Sequence, residues 1–177
     1  MHDDARLEMA AEIEPDWARE APQRLWDPAR RLLRAIRGYQ AVAGKNSLVA
    51  RLARVWWREQ HRFWSVVTQA EIDLGARIGG GLLLPHPNGI VVHPDAVIGP
   101  NCLVFQQVTI GMREGGEGVP VIGAGVDIGA GAKILGEVQV GARARIGANT
   151  VVIADVPAGC VAVGVPARIL PPRRAAE

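Results

Sequence analysis

The chain has very little of what usually fills a globular core in bulk: among 177 residues there are two Phe and one Tyr. At that length it holds one sizeable domain plus an appendage, so its interior must be built from smaller aliphatic groups. Two cysteines, Cys102 and Cys160, are too few for a disulfide framework and predict a reducing compartment. No stretch approaches the roughly eighteen apolar residues of a membrane span. No apolar run follows Met1-His2-Asp3-Asp4, so no export signal is read there and a cytoplasmic location is expected. An excess of one charge is also lacking: 20 basic and 18 acidic residues, mixed along the chain, give a net charge of +2. That balance excludes the broad basic face of a nucleic-acid binder.

What is present in abundance is glycine, 21 residues, and a repeat that explains it. An aliphatic residue returns at every sixth position: Val92, Ile98, Val104, Ile110, then Ile122, Ile128, Ile134, Val140, Ile146 and Val152, with only the Gly116 slot failing. Four places after nine of these ten, all but Ile110, comes a small or β-branched residue: Ala96, Cys102, Val108, Val126, Ala132, Val138, Ala144, Thr150 and Val156. Six matches neither the helical period of 3.6 nor the alternation of a plain strand, and it predicts the stacked coils of a parallel β-helix. Each hexad reads as a short strand plus a corner, the aliphatic residue pointing into a narrow prism. Gly99, Gly111, Gly123, Gly129, Gly141 and Gly147 follow the aliphatic directly, and are expected where the chain bends and a Cβ would strain it. An earlier set, Ile72, Ile78, Leu84 and Ile90, keeps the spacing in a frame displaced by two residues. The slip falls in Pro85-His86-Pro87-Asn88-Gly89.

Residues 1–67 lack this punctuation and are rich in Ala, Leu, Arg and Glu with Trp interspersed, which predicts helix. Asp27-Pro28 makes an N-cap and first-turn pair for a helix running toward Gly38 and Ala43. Asn46 or Ser47 can cap a second helix, with Leu48, Leu52, Val55 and Trp56 along one face. Its basic, Trp-bearing stretch from Arg51 to Trp64 suits either a membrane surface or packing on its own domain or a neighbouring subunit, and the acidic Glu59 and Glu71 favour packing. The organisation expected is a helical region at 1–67, a β-helix at 68–170 and a tail at 171–177.

His86 is the first candidate for chemistry. A neutral imidazole takes a proton from a hydroxyl near neutral pH, its ordinary pKa being about 6.5, and two flanking prolines hold it rigidly on the outer surface. The plain alternative is a loop histidine at a corner. Glu71, fifteen residues upstream and so nearly one coil below, is a candidate to orient it, or simply an exposed carboxylate at a domain entrance. His93 also precedes a proline, but two histidines without thiol or carboxylate companions make a poor zinc set, and no metal site is expected. Glu114-Gly115-Gly116-Glu117-Gly118 lacks the lysine and following helix of a phosphate loop, and reads as a mobile lid within an excursion at 112–120. Lys133, Arg143, Arg145 and Arg168 fall on the outside of successive coils, where they can meet an anionic cofactor or solvent.

Four stretches carry a family resemblance: His86-Pro87-Asn88-Gly89-Ile90-Val91-Val92, Gln106-Gln107-Val108-Thr109-Ile110-Gly111, Ile128 to Gly136 and Gly164-Val165-Pro166-Ala167-Arg168-Ile169. Through them, Thr68 to Leu170 resembles the catalytic domain of serine O-acetyltransferases, within the hexapeptide-repeat acyltransferase superfamily. The resemblance implies a left-handed parallel β-helix that assembles as a trimer, with acetyl-CoA as co-substrate in the cleft between adjacent prisms. Gly111, Ala130 and Ala148 match the family's cofactor contacts, with Lys133 and Arg168 as the cations nearest them in the matched stretches. His86 matches its general base and Glu71 its orienting aspartate, and direct attack on the thioester needs no acyl-enzyme. The chain departs from the family at Pro85, where an aspartate is usual, and at Gly118 and Val119, where an arginine and a second histidine serve the amino-acid acceptor. Its helical region is about half the usual length, which leaves trimer or hexamer open, and its end lacks the isoleucine that docks into cysteine synthase. The leading expectation is acetyl transfer to L-serine, giving O-acetyl-L-serine for cysteine biosynthesis. The alternatives are a sugar or polysaccharide acceptor and a non-catalytic trimeric scaffold.

Overall fold

Short strands of two or three residues, each ended by a corner, wind three to a turn into a column in the computed structural model, which describes residues 13–116 and 118–172. The readings made on Met1 to Asp4, Glu117 and Arg173 to Glu177 lie outside the described residues. The first face stacks Glu71–Ile72, Val91–Val92, Thr109–Gly111, Lys133–Leu135 and Val151–Val152 in parallel. The second stacks Arg77–Ile78, Val97–Ile98, Val121–Ile122 and Gln139–Val140, and the third Leu103–Val104, Asp127–Ile128, Arg145–Ile146 and Val161–Val163. Arg168–Leu170 folds back antiparallel on the last of these and ends the stack. The inward row is aliphatic throughout: Ile72, Ile98, Ile110, Ile122, Ile128 and Ile134 are 2 % exposed or less.

The register explains where the hexads fail. Val91 pairs with Thr109, eighteen residues on, which is three hexads. Thr109 pairs with Lys133, twenty-four on, so the extra hexad around Gly116 is not a broken strand but a loop that leaves the first face and rejoins on the second. Glu71 pairs with Val91, twenty on. The two additional residues sit in 85–89, and they correct the placement of Ile90. Its carbonyl accepts from Glu71 N as the Val108, Ala132 and Thr150 carbonyls accept from Val91, Thr109 and Lys133. Ile90 therefore fills a small-residue slot rather than an aliphatic strand position.

The corner glycines need a different explanation from the one expected. Left-handed backbone falls two residues later than five of the six, at Asn101, Gly125, Gly131, Arg143 and Asn149, and at the equivalent corner position Gln107, which lies two residues after Phe105. Gly123 and Gly129 are needed because the next coil passes overhead: a Cβ on Gly129 would lie 2.7 Å from Ala148 N, and one on Gly123 2.7 Å from Ala142 N.

Two helices close the lower end of the column. Helix α1, Pro28–Gln40, buries Leu32, Leu33, Ala35 and Ile36, and these leucines and Ile36 join one hydrophobic core with Ile72, Ile78 and Leu84. Arg37 ties it to the first coil, donating to the Ile78 and Gly79 carbonyls at 2.6 and 2.8 Å while pairing with the buried Glu20 at 2.9 Å. Helix α2, Leu48–Thr68, is capped by Ser47 Oγ, which accepts from Ala50 N, and ends at a left-handed Gln69. The face it packs inward carries Ala50 and Trp64. Leu48, Leu52, Val55 and Trp56, expected to pack on their own domain or a neighbouring subunit, do not pack on their own domain: they point outward and are more than half exposed in this chain. No described helix is long and apolar enough to cross a membrane.

Gly129→Ala separates the two explanations for a corner glycine. Reduced freedom of the unfolded chain would stabilise by about 0.4–1 kcal/mol, whereas forcing a methyl against a backbone that cannot yield costs about 1–3 kcal/mol. The clash is expected to win, lowering the thermal unfolding midpoint; an unchanged or raised midpoint would remove the close-approach explanation.

Candidate active site

His86 sits in the two-residue insertion, between Pro85 and Pro87, on the edge where the third face turns into the first. Both prolines fix their own φ, so the imidazole leaves the column from a stiff segment. The ring is exposed, with the Phe105 ring centred 6.5 Å away from it one coil above. The turn is pinned to the entrance of the column: Gly89 N donates to the Gln69 carbonyl at 2.8 Å, and the Asn88 amide bonds the Gln69 side chain.

The same edge carries Ala130 and Ala148. Gln107 N donates to Asn88 O, Gly131 N to Gln106 O and Asn149 N to Ala130 O, so Asn88, Gln106, Ala130 and Ala148 form a ladder at this corner. With coils ~4.8 Å apart it runs about 14 Å. Lys133 begins the strand just past it on the first face, its ammonium donating to the Gln107 carbonyl at 2.5 Å. Arg168 lies at the top, where the closing turn lets Ala167 N bond to Val151 O. Gly111 falls at the far end of the first face, paired with Leu135. Arg145 lies out on the third face, its guanidinium 3.6 Å from Asp127, and Arg143 occupies the corner between the second and third faces.

Glu71 and His86 do not meet in this chain. Glu71 lies beneath Val91 on the first face and lines a hollow of about 460 Å³ with His61, Asp73 and His93. Among the described residues no hydrogen bond or ion pair joins it to His86. His93 Nδ1 accepts from Asp95 N at 3.2 Å, which makes it part of a local turn.

His86 opens instead into a cavity of about 670 Å³ between its turn and the start of α1, lined also by Arg24, Asp27, Arg30 and Thr68. Sequence reasoning missed this partnership, because Asp27 and Arg24 lie some sixty positions before His86 and Asp27 had a sufficient role as a helix cap. The structure corrects that role: Asp27 occupies the cap position, but its carboxylate makes no bond to the helix amides. It accepts from Gln23 N and from Arg30, both at 3.1 Å. Burial alone would raise its pKa, but the Gln23 amide and the Arg30 guanidinium outweigh burial and hold it below the ordinary carboxylate value. A permanent anion therefore stands at the cavity with the imidazole.

Cys102 supplies no nucleophile to this site. Burial pushes the Cys102 thiol up to about 11, and its Sγ is tied to the Gly123 carbonyl. A neutral thiol enclosed in the prism is no nucleophile.

No protein-family model matches the chain. Among curated proteins it is similar to the serine acetyltransferase of Escherichia coli, 49 % identical over 108 residues covering 60 % of this chain and 40 % of that protein. It is similar also to the serine acetyltransferase of Mycobacterium tuberculosis, 38 % identical over 138 residues, covering 75 % and 60 %. The chain thus spans about two to three fifths of the length of these relatives. Among solved structures it superposes on a soybean serine acetyltransferase complexed with serine, TM-score 0.69, 36 % identity, over 81 % of this chain and 57 % of that one. A Brucella abortus serine acetyltransferase in complex with coenzyme A gives TM-score 0.69, 34 % identity and coverages of 82 % and 57 %.

The depressed Asp27 pKa fixes a sign. A carboxylate whose folded pKa lies below its unfolded value contributes stability above the unfolded pKa, about 3.9, and loses it as pH falls through the folded value. Asp27→Asn is therefore expected to lower the unfolding midpoint at pH 7, with the difference from the parent chain closing in the acid range below about pH 4. A difference that stays constant across that range would show that the charge is not what Asp27 contributes.

Proposed function

We propose, since the β-helical part of this chain belongs to the serine O-acetyltransferase family, that it moves the acetyl group of acetyl-CoA to the hydroxyl of L-serine. The observation that carries this is His86, held between two prolines at the mouth of a cavity that also contains a charged Asp27 and Arg24. A carboxylate-bearing acceptor suits a cavity in which Arg24 has no anionic partner among the described residues, Asp27 being already paired with Arg30; a neutral sugar would leave that guanidinium without one. That favours serine over the sugar alternative, and an imidazole at such a cavity favours catalysis over a passive scaffold.

In the reaction, His86 takes the acceptor hydroxyl's proton as that oxygen attacks the thioester carbonyl carbon. Collapse of the tetrahedral intermediate breaks the carbon–sulfur bond, and the imidazolium returns the proton to the departing thiolate. Products are the O-acetyl ester and free CoA, with the histidine restored and no acyl-enzyme formed. Glu71, exposed one coil below the His86 turn, is given the orienting role on the family resemblance alone, since it makes no bond to His86 in the single chain, and its contribution is taken as the smaller of the two. The edge ladder is the surface assigned to CoA. Ala130 and Ala148 leave the backbone open to an extended arm, while Lys133, Arg168 and the more distant Gly111 flank it, the two cations facing the phosphates. A homotrimer, closing this edge against a neighbouring prism, completes the assignment, in a cytoplasmic step that feeds cysteine biosynthesis.

Thiol release from acetyl-CoA, measured with L-serine and with a panel of sugars, tests the acceptor. His86→Ala is expected to lower turnover at least ~100-fold while leaving CoA binding nearly intact, as for loss of a general base. Glu71→Gln should cost less. An unchanged rate in the alanine variant would overturn the base assignment, and an unchanged rate in the Gln variant would remove Glu71 from the mechanism.

A further inference from the structure

The cavity at His86 contains two guanidinium groups, and they are not equivalent. Arg30 is committed: its Nε donates to the Arg19 carbonyl at 2.8 Å and its terminal nitrogen pairs with Asp27 at 3.1 Å. Arg24 lines the same cavity from the segment leading into α1. Among the described residues it has no hydrogen-bond acceptor, carboxylate or aromatic ring in contact. Asp27, the one described carboxylate of the lining, is already bonded to Gln23 N and Arg30.

An amino-acid acceptor presents a carboxylate that needs a cation in the bound state, because an unpaired charge taken out of water is strongly unfavourable. The excursion at 112–120, where an acceptor-binding cation would be looked for by resemblance, has Gly118 and Val119 at the relevant places, and none of its described residues lines the cavity. Val119 is turned inward, 9 % exposed. The uncommitted guanidinium is therefore the group left to meet the anion, and its planar fork suits a carboxylate bidentately.

We infer that Arg24 is a specificity-determining residue that binds the acceptor's α-carboxylate and so selects hydroxy amino acids over uncharged hydroxyl compounds. This rests on the reading of the His86 cavity as the acceptor site. The guanidinium makes its contact in ground state and transition state alike, so its loss acts on KM for the acceptor more than on kcat. Asp27 and Arg30 hold each other, and removing Arg24 leaves that pair in place.

The test compares L-serine with L-serinamide, which keeps the hydroxyl and amine but lacks the carboxylate charge, in the parent protein and in Arg24→Gln and Arg24→Lys. The parent is expected to prefer serine. Arg24→Gln is expected to raise KM for serine by roughly 10- to 100-fold, the range for a charge-assisted hydrogen bond, and to leave KM for serinamide and for acetyl-CoA near the parent values. Arg24→Lys, which keeps the charge but not the fork, should recover part of the loss. If the parent turns over serine while Arg24→Gln keeps its preference for serine over serinamide, the inference falls and the proposed activity stands. If the parent acetylates sugars and neither amino-acid compound, the acceptor reading falls and takes the inference with it.

Discussion

The constraint on which everything else depends is that each coil must return to lie a strand spacing above the one before, in parallel register and with an aliphatic side chain inside. Backbone groups at the edge of one coil are satisfied only by the next, as when Glu71 N, Val91 N, Thr109 N and Lys133 N each bond to a carbonyl one coil on. A residue added within a strand would turn the whole inward row outward. Added at a corner, it changes only how far the chain travels before the next face begins. Departures from eighteen residues per turn are therefore confined to corners: two extra in 85–89, six in the 112–120 region, and two fewer where Arg145 pairs with Val161, sixteen residues on. His86 lies in the first of these. Irregularity is permitted where it cannot disturb the prism, and there a side chain can be aimed for chemistry.

Stacking also lines functional positions up in space without any local motif. Asn88, Gln106, Ala130 and Ala148 are far apart in sequence yet occupy successive rungs of one edge, because the same corner recurs on every turn. Ala130 and Ala148 on the two upper rungs keep the main chain accessible there, while Lys133 and the closing strand at Arg168 stand beside it. A long extended substrate suits such an edge better than a compact one, since the surface repeats along its axis and offers no deep enclosure. His86, the proposed base, stands at the lower end of that edge, two residues before Asn88.

The inward residues of the β-helix were legible in the sequence, because a period of six with a fixed small partner has few physical realisations. Ile110, Ile122, Ile128 and Ile134 are buried as the repeat requires. The corner was legible in position and not in mechanism: Gly129 yields to the coil above it, and the left-handed turn belongs to Gly131, a fact of three-dimensional stacking that no single hexad contains. Helix α2 was legible only in part for a related reason, having apolar residues on two sides. Propensity marks such a helix without telling which side meets the domain, and here the smaller Ala50 with Trp64 faces inward while Leu48, Leu52, Val55 and Trp56 do not. Of the site, His86 stood out through its prolines and its place at the slip. Asp27 and Arg24 did not, since their relation to His86 exists only once α1 has folded across the bottom of the column.

That last relation follows from geometry more than from accident. Outward side chains on a three-sided prism diverge, so a β-helix alone cannot bring opposite charges together around a small acceptor; it offers flat faces and edges. Convergence needs a second element leaning against an edge, and α1 provides it, held by Arg37 on the first coil's carbonyls and by Leu32, Leu33 and Ile36 in the common core. The chain entering that helix carries Arg24 and Asp27 to the turn that carries His86. In the proposed reaction, acceptor recognition and thioester handling fall on different parts of the polypeptide, one on residues near the start of α1 and the other on the repeating edge. Substitutions in the first can retune the acceptor while the register of the coils, and the position of the imidazole fixed by it, stay as they are.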